Sequence, residues 1–301
     1  MRQTNSPSWR LIRSGELSGA MNMAADESIM IHVGKGLSAP TLRFYRWKPP
    51  TISVGYFQEL EAELDTEACM RLGLGYVRRP TGGRAVLHDN EVTYSVIMPE
   101  GQSLIPEGVV DSYRVISVAI LAGLAALGLH AEVVPVSAKR AGTVAPPAVP
   151  PEGARSSAAC FDAPSWYEVV VSGRKLVGSA QTRRGGALLQ HGSIPLEFDS
   201  ERFFKALRFR SDDARLSARR RYQAKATSVI AELGRSLTID EAEDAMVEGF
   251  RRTFGVALAP RGLSESEKAF ATELVATRYG DEAWTRFGPG SKAELKVGSQ
   301  G

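Results

Sequence analysis

Apolar residues recur along this chain with two different periods, and each change of period marks an element. Residues 9–17 read as a strand, and Ser18 is placed to cap a helix over 21–33, where Met23, Ile29 and Met30 supply an apolar face. Two β-branched and aromatic runs follow, 41–47 and 51–56, separated by the strand breaker Lys48-Pro49-Pro50. Residues 65–72 predict a short helix. Between Tyr76 and Met98 the pattern predicts a strand to Arg79, a Pro80-Thr81-Gly82-Gly83 turn, and a hairpin whose two short segments flank His88-Asp89-Asn90. A core helix over 112–129 then leads to a strand near 132–136.

Residues 137–157 are loaded with Ala, Pro, Gly and Ser, which bury too little apolar surface to order themselves, so a mobile surface loop is expected. From Trp166 the strand signal returns. WYEVVV, a Ser172-Gly173 turn, KLVGSAQ, an Arg184-Gly185-Gly186 turn and ALLQHGSIPLEF predict a three-stranded meander. Strict alternation places Lys175, Val177, Ser179 and Gln181 on one face of it. The remainder reads as helical, over 200–207, 239–254 and 265–279. The expected fold class is α/β (α+β): a mixed β-sheet flanked by helices. Residues 1–255 are expected to form the main domain and 256–301 a small helical C-terminal extension.

Composition narrows the function classes. With 43% apolar and 24% charged residues in 301, the chain has the makeup of an ordinary folded protein. A net charge of +3 is too small for a phosphate-tracking surface, so no nucleic-acid partner is expected. The longest apolar stretch, 115–129, falls short of the roughly 20 residues that span a bilayer and reads as a core helix, so no membrane is expected. The first 19 residues resemble no secretory signal, and a cytoplasmic protein with Cys69 and Cys160 reduced is the expectation. There is no GxxxxGK[ST] loop, GxGxxG turn, HExxH pair or GxSxG elbow, and the four histidines lack metal-ligand spacing. Neither a metal nor a cofactor is expected.

Three features remain as candidate chemistry. In RRPTGGRAVLHD, residues 78–89, consecutive glycines permit positive φ and close ligand approach to bare N–H groups, with Arg79 and Arg84 beside them. Acyl or phosphate recognition and a plain turn with solvated arginines both fit. Cys160, in SSAACFDAPSW, follows the Ala/Pro-rich stretch and precedes Pro164, which fits a reactive thiol or an inert loop thiol equally. Cys69, among Met70 and Leu72, reads as a small buried hydrophobe. Lys175, at the start of a strand with small neighbours, is either solvated or, if it points toward Cys160, would lower that thiol's pKa.

Taken in order, RRPTGGRAVLHDNEVTYSV, CFDAPSWYEV, GRKLVGSAQTRR and LLQHGSIPL resemble the biotin/lipoate protein ligase-like superfamily, and within it the octanoyltransferases with their cysteine in a CF-APS segment. The similarity runs from about Trp9 into the helical C-terminus. The Ala/Pro-rich stretch before Cys160 is longer than the family pattern. The resemblance implies that Arg78, Arg79, Thr81, Gly82, Gly83 and Arg84, with His88 nearby, line an acyl-binding cleft. It puts the acyl-thioester cysteine at Cys160 and its pKa-lowering lysine at Lys175, and leaves the role of Asp162 open. An apolar tunnel is then expected over the small residues Gly178, Ser179 and Ala180, closed by Gly82-Gly83.

The implied reaction moves octanoyl from acyl carrier protein to a lysine of a lipoyl-accepting protein, such as glycine cleavage H protein or a 2-oxoacid dehydrogenase lipoyl domain. A thioester donor makes ATP unnecessary. Arg183, Arg184 and the Arg219-Arg220-Arg221 run are either docking groups for such acidic partners or solvated surface. The alternatives are an ATP-dependent lipoate-protein ligase of the same superfamily, which needs no nucleophilic thiol, and a noncatalytic carrier-binding regulator, which needs neither Cys160 nor Lys175.

Overall fold

A computed structural model describes residues 8–101, 104–135 and 167–289. Cys160, Asp162 and the 137–157 segment therefore lie outside the described residues. Strand β1 (Ser8–Leu17) leads into α1 (Gly19–Gly34), whose first turn is closed by Ser18, its hydroxyl accepting from the Met21 N–H. The helix is buried on nearly every side, including Asn22, Asp26 and Glu27, so the single apolar face read from the sequence understates its burial. After β2 (Thr41–Trp47) the chain crosses to β3 (Thr51–Val54), α2 (Leu60–Glu63) and α3 (Thr66–Arg71), the last capped by Asp65.

The glycine turn lies between β4 (Gly75–Arg78) and β5 (Val86–His88), and β6 (Glu91–Pro99) follows. Here the hairpin expectation is corrected. β5 pairs with β3 in a three-stranded sheet ordered β4-β3-β5, whereas β6 lies in the large sheet between β2 and β10 (Ala187–Pro195). His88-Asp89-Asn90 thus carries the chain from one sheet to the other, a pairing choice that local pattern cannot decide.

Helix α4 (Val109–Ala126) and strand β7 (Glu132–Pro135) precede the expected meander, β8 (Tyr167–Val171), β9 (Arg174–Arg184) and β10, which is antiparallel throughout. Helices α5 (Ser200–Ala206), α6 (Asp212–Lys225), α7 (Val229–Leu233) and α8 (Ile239–Phe254) follow. Strand β11 (Ala257–Pro260) then corrects the wholly helical reading of the C-terminal part: it adds to the edge of the large sheet, parallel to β1. Its four residues, two of them alanine, carry little strand signal, and pairing supplies what propensity lacks. Helix α9 (Glu265–Leu274), a π turn (Val275–Tyr279) and α10 (Glu282–Phe287) complete the described chain.

The large sheet runs β11-β1-β2-β6-β10-β9-β8-β7, mixed in direction. One face packs on α4 and α8, burying Phe44, Tyr94, Val96, Ile116, Ile120 and Phe250. Those helices meet closely because Gly249 has no side chain: a Cβ there would fall 2.4 Å from the Ala119 carbonyl oxygen. Although α4 is long and apolar enough to cross a bilayer, it buries Ile116, Ala119, Ile120 and Leu124 in this core. The opposite face carries α1 and, beyond it, the small sheet and the C-terminal segment, where Met23, Tyr45, Trp47, Leu274 and Trp284 form a second cluster. The site lies on this face, between the two sheets.

Candidate active site

Two consecutive arginines leave β4 in opposite roles. The Arg78 guanidinium donates to six main-chain carbonyls, those of Gly55, Tyr56, Gln58, Trp284, Thr285 and Arg286, at 2.7–3.1 Å. Burial, followed by the neighbouring Arg79 charge, pushes its pKa down to about 10. With its donors engaged this way, Arg78 ties the loop after β3 to α10. Arg79 instead faces a cleft and braces the glycine turn, donating to the Gly82 oxygen at 2.7 Å, the Arg84 oxygen at 2.9 Å and the Ser53 oxygens at 3.1 Å. Gly83 has φ +98°, which favours glycine there, and its carbonyl oxygen lies 2.0 Å from where a Cβ on Gly55 would sit, so the close approach of the two loops requires glycine at 55. Arg84 turns away, toward Glu63 at 3.0 Å.

The cleft beneath this turn opens to solvent. Met23, Tyr45 and Trp47 supply its apolar wall, and Gly178, Ser179 and Ala180 of β9 supply its floor. Of the residues singled out in the sequence, Arg79, Gly83, His88 and these three line it directly. Thr81 reaches it through His191, its Oγ1 2.6 Å from His191 Nε2.

Lys175 corrects the simple alternation. Val169 pairs with Val177 but Val170 with Lys175, so β9 carries a bulge at Leu176. Residues opposite one another in an antiparallel pair share a face. Val169 and Val177 belong to the core under α4 and α8, which leaves Lys175 on the other face. That is the face carrying Gly178 and Ala180, opposite Ser193 and His191 in register. Lys175 is buried, with Nζ 2.9 Å from the Glu168 carboxylate, and its main-chain oxygen accepts from the Thr227 N–H at 3.0 Å.

Two buried polar chains back the cleft. The Asp26 carboxylate accepts from Arg43 at 2.7 Å, Ser95 at 2.8 Å and Tyr45 at 3.0 Å, and faces His191 Nδ1 at 3.4 Å. Burial raises the Asp26 pKa, but the Arg43 charge and His191 outweigh it and hold the carboxyl below its ordinary value. Burial lowers the His191 pKa, so the ring stays neutral, its Nδ1–H toward Asp26 and its Nε2 accepting from Thr81. In the second chain, His88 lies between Glu91 at 2.7 Å and Ser53 at 2.8 Å and stacks on Trp47 with centroids 4.2 Å apart. Among the described residues no cluster of His, Cys, Asp or Glu is arranged to hold a metal ion.

The lipoyl protein ligase A/B catalytic-domain model matches residues 18–251. The chain belongs to that family. Within it, the chain is 48% identical over 274 residues to an octanoyltransferase of Kyrpidia tusciae, covering 91% of this chain and 97% of the relative. It is 43% identical over 277 residues to that of Bacillus subtilis, covering 92% and 97%. These near full-length relatives place it among the family's octanoyltransferases. The fold is shared with a bipartite lipoate protein ligase of Thermoplasma acidophilum, with TM-score 0.74 and 25% identity over 93% of this chain and 96% of that one. It is also shared with a lipoate-protein ligase A solved with ATP, with TM-score 0.71 and 24% identity over 93% and 98%.

Several cleft residues of this family member escape a sequence reading. His191 sits in the LLQHGSIPL motif, but a lone strand histidine carries no spacing signal, and its partner Asp26 is 165 positions away. Ser53 and Trp47 look like ordinary strand residues. Glu91 alone left a trace, three positions after His88.

Proposed function

We propose that this chain transfers octanoyl from octanoyl-acyl carrier protein to a lysine of a lipoyl-accepting protein through an acyl thioester on Cys160. The observation that carries this reading is the cleft between the sheets, with the glycine turn over it and Lys175 turned by the bulge onto the face of its floor. Burying the octanoyl methylenes at about 0.8 kcal/mol each contributes on the order of 5 kcal/mol of binding. In this reading Arg79, Thr81, Gly82, Gly83 and His88 shape the acyl site with Gly178, Ser179 and Ala180, and Arg78 and Arg84 hold its loops.

Lys175 keeps Cys160 ionised and balances charge in the tetrahedral intermediate, with Glu168 setting how much of that charge is available. Thioester exchange loads Cys160 without ATP, and the amide formed from the acceptor amine is more stable than the thioester, which drives the second step. Residues 1–255 carry the activity, and β11 and α9 of the C-terminal extension brace it by pairing on β1 and packing on α1. Reduced thiol chemistry suits the cytoplasm.

Intact mass measurement after incubation with octanoyl-acyl carrier protein, without ATP or acceptor, tests this. Wild type gains one octanoyl group that hydroxylamine removes, and Cys160→Ser and Cys160→Ala gain none labile to it. The fold shared with an ATP-bound ligase favours a second reading, ATP-dependent ligation. Activity that requires ATP and survives Cys160→Ala selects it.

A further inference from the structure

Ser53, His88 and Glu91 form a hydrogen-bonded line on the cleft wall to which acyl transfer through Cys160 and Lys175 assigns no proton-handling role. Ser53 Oγ is 2.8 Å from His88 Nε2, and His88 Nδ1 is 2.7 Å from Glu91 Oε1. All three are 6% exposed or less, and Ser53 and His88 line the cleft. Glu91 is held by the Thr93 and Ser193 hydroxyls as well. A carboxylate only accepts, so the Nδ1 proton of His88 points at Glu91, and the Nε2 lone pair takes the Ser53 hydroxyl proton. Arg79 donates to Ser53 Oγ at 3.1 Å, which leaves that oxygen a second lone pair for an incoming N–H. The Trp47 ring, stacked within 10° of coplanar, fixes the imidazole plane.

A lysine acceptor arrives as an ammonium ion with a pKa of about 10.4, and its nitrogen attacks only after losing a proton. We propose that Ser53 receives that proton and passes it to His88, with Glu91 as counter-ion to the imidazolium. The proposal rests on the transferase reading only in that the nucleophile is an amine. The ammonium gives up two protons in forming an amide. The first moves from nitrogen to Ser53 Oγ as the Ser53 proton moves to His88 Nε2, and His88 later returns it to solvent through the open cleft. The freed nitrogen pair forms the C–N bond. As the C–S bond breaks, its electron pair stays on sulfur, which remains the thiolate beside Lys175, and the second nitrogen proton passes to solvent.

Three ionisable groups face His88. They are the Glu91 carboxylate from β6, the Arg79 guanidinium from the turn after β4, and His191 from β10, itself neutral against Asp26 of α1. Asp89 is occupied with Arg202 at 3.0 Å. Glu91 therefore supplies the negative charge nearest the ring.

The test separates the half-reactions. Wild type, Ser53→Ala and His88→Gln are loaded with octanoyl, freed of donor and mixed with a lipoyl domain, and single-turnover amide formation is followed by mass from pH 5.5 to 9.5. Ser53→Ala keeps the Arg79 bond to the Ser53 main-chain oxygen, and unfolding midpoints confirm that both variants fold. Aminolysis is expected to fall about 100-fold, at least tenfold more than loading does. The wild-type rate should level off well below the lysine pKa, whereas in His88→Gln it should climb about tenfold per pH unit toward that pKa. Loading and aminolysis falling together, or a pH profile that His88→Gln leaves unchanged, overturns the relay. If wild type forms no acyl-enzyme, the transferase reading fails, and the same variants are measured on octanoyl-adenylate, where an unchanged pH profile overturns the relay in turn.

Discussion

At the scale of single residues, the two cysteines are expected to differ in kind. Burial, then Asp65, pushes the Cys69 thiol up to about 11, and a fully buried thiol of that pKa does not react near neutrality. Iodoacetamide at pH 7 should label wild type once and leave Cys160→Ser unlabelled, as read by mass. Lys175→Ala should then move the alkylation profile of Cys160 to higher pH and lower transfer by about 100-fold with the fold intact. An unchanged profile would end the electrostatic role of Lys175. Its ion pair with the half-buried Glu168 makes Glu168→Gln the complementary variant, expected to move the profile to lower pH by removing the negative charge beside the lysine.

At the scale of elements, the site depends on two loops held so close that the Gly55 position admits no side chain. Gly55→Ala places a Cβ 2.0 Å from the Gly83 carbonyl oxygen, a main-chain atom that yields only if the whole turn moves. A displaced turn misplaces Arg79 and Thr81 together, because Arg79 braces the turn and the Thr81 oxygen accepts from the Tyr56 N–H at 2.8 Å. Transfer should fall by about 100-fold, as displacements of about 1 Å do, with a stability loss of about 1–3 kcal/mol. Steady-state rates and urea midpoints check this. Activity within threefold of wild type would mean that the turn is not part of the site. The β9 bulge works the other way: one extra residue at Leu176 reorients Lys175 without disturbing Val177, Ser179 and Gln181 on the core face.

At the scale of the whole molecule, the C-terminal segment is fastened to the sheet by Glu267. Its carboxylate accepts from Arg10 at 2.7 and 2.9 Å, Ser38 at 2.8 Å and the Ser264 N–H at 2.7 Å. Burial raises its pKa, but these partners outweigh that and hold it at about 2. A carboxyl depressed from 4.5 to about 2 contributes its full stability above pH 4.5 and loses it as pH falls toward 2. Glu267→Gln should lower stability by about 3 kcal/mol at pH 7, and the difference from wild type should shrink at pH 3, as read from urea midpoints. An equal difference at both pH values would assign the loss to packing. Much of this architecture was legible locally. Ser18, Asp65 and the Thr238-x-x-Glu241 capping box mark helix starts, glycine pairs mark the turns of the meander, and the ordered motifs identify the family, because caps, turns and periodicity are properties of adjacent residues. Only tertiary structure assigned β5 and β6 to different sheets, paired β11 with β1, turned Lys175 to the cleft face, and joined Asp26 to His191 and Ser53 to His88, because register and long-range polar pairing are settled by which surfaces the packed chain brings together.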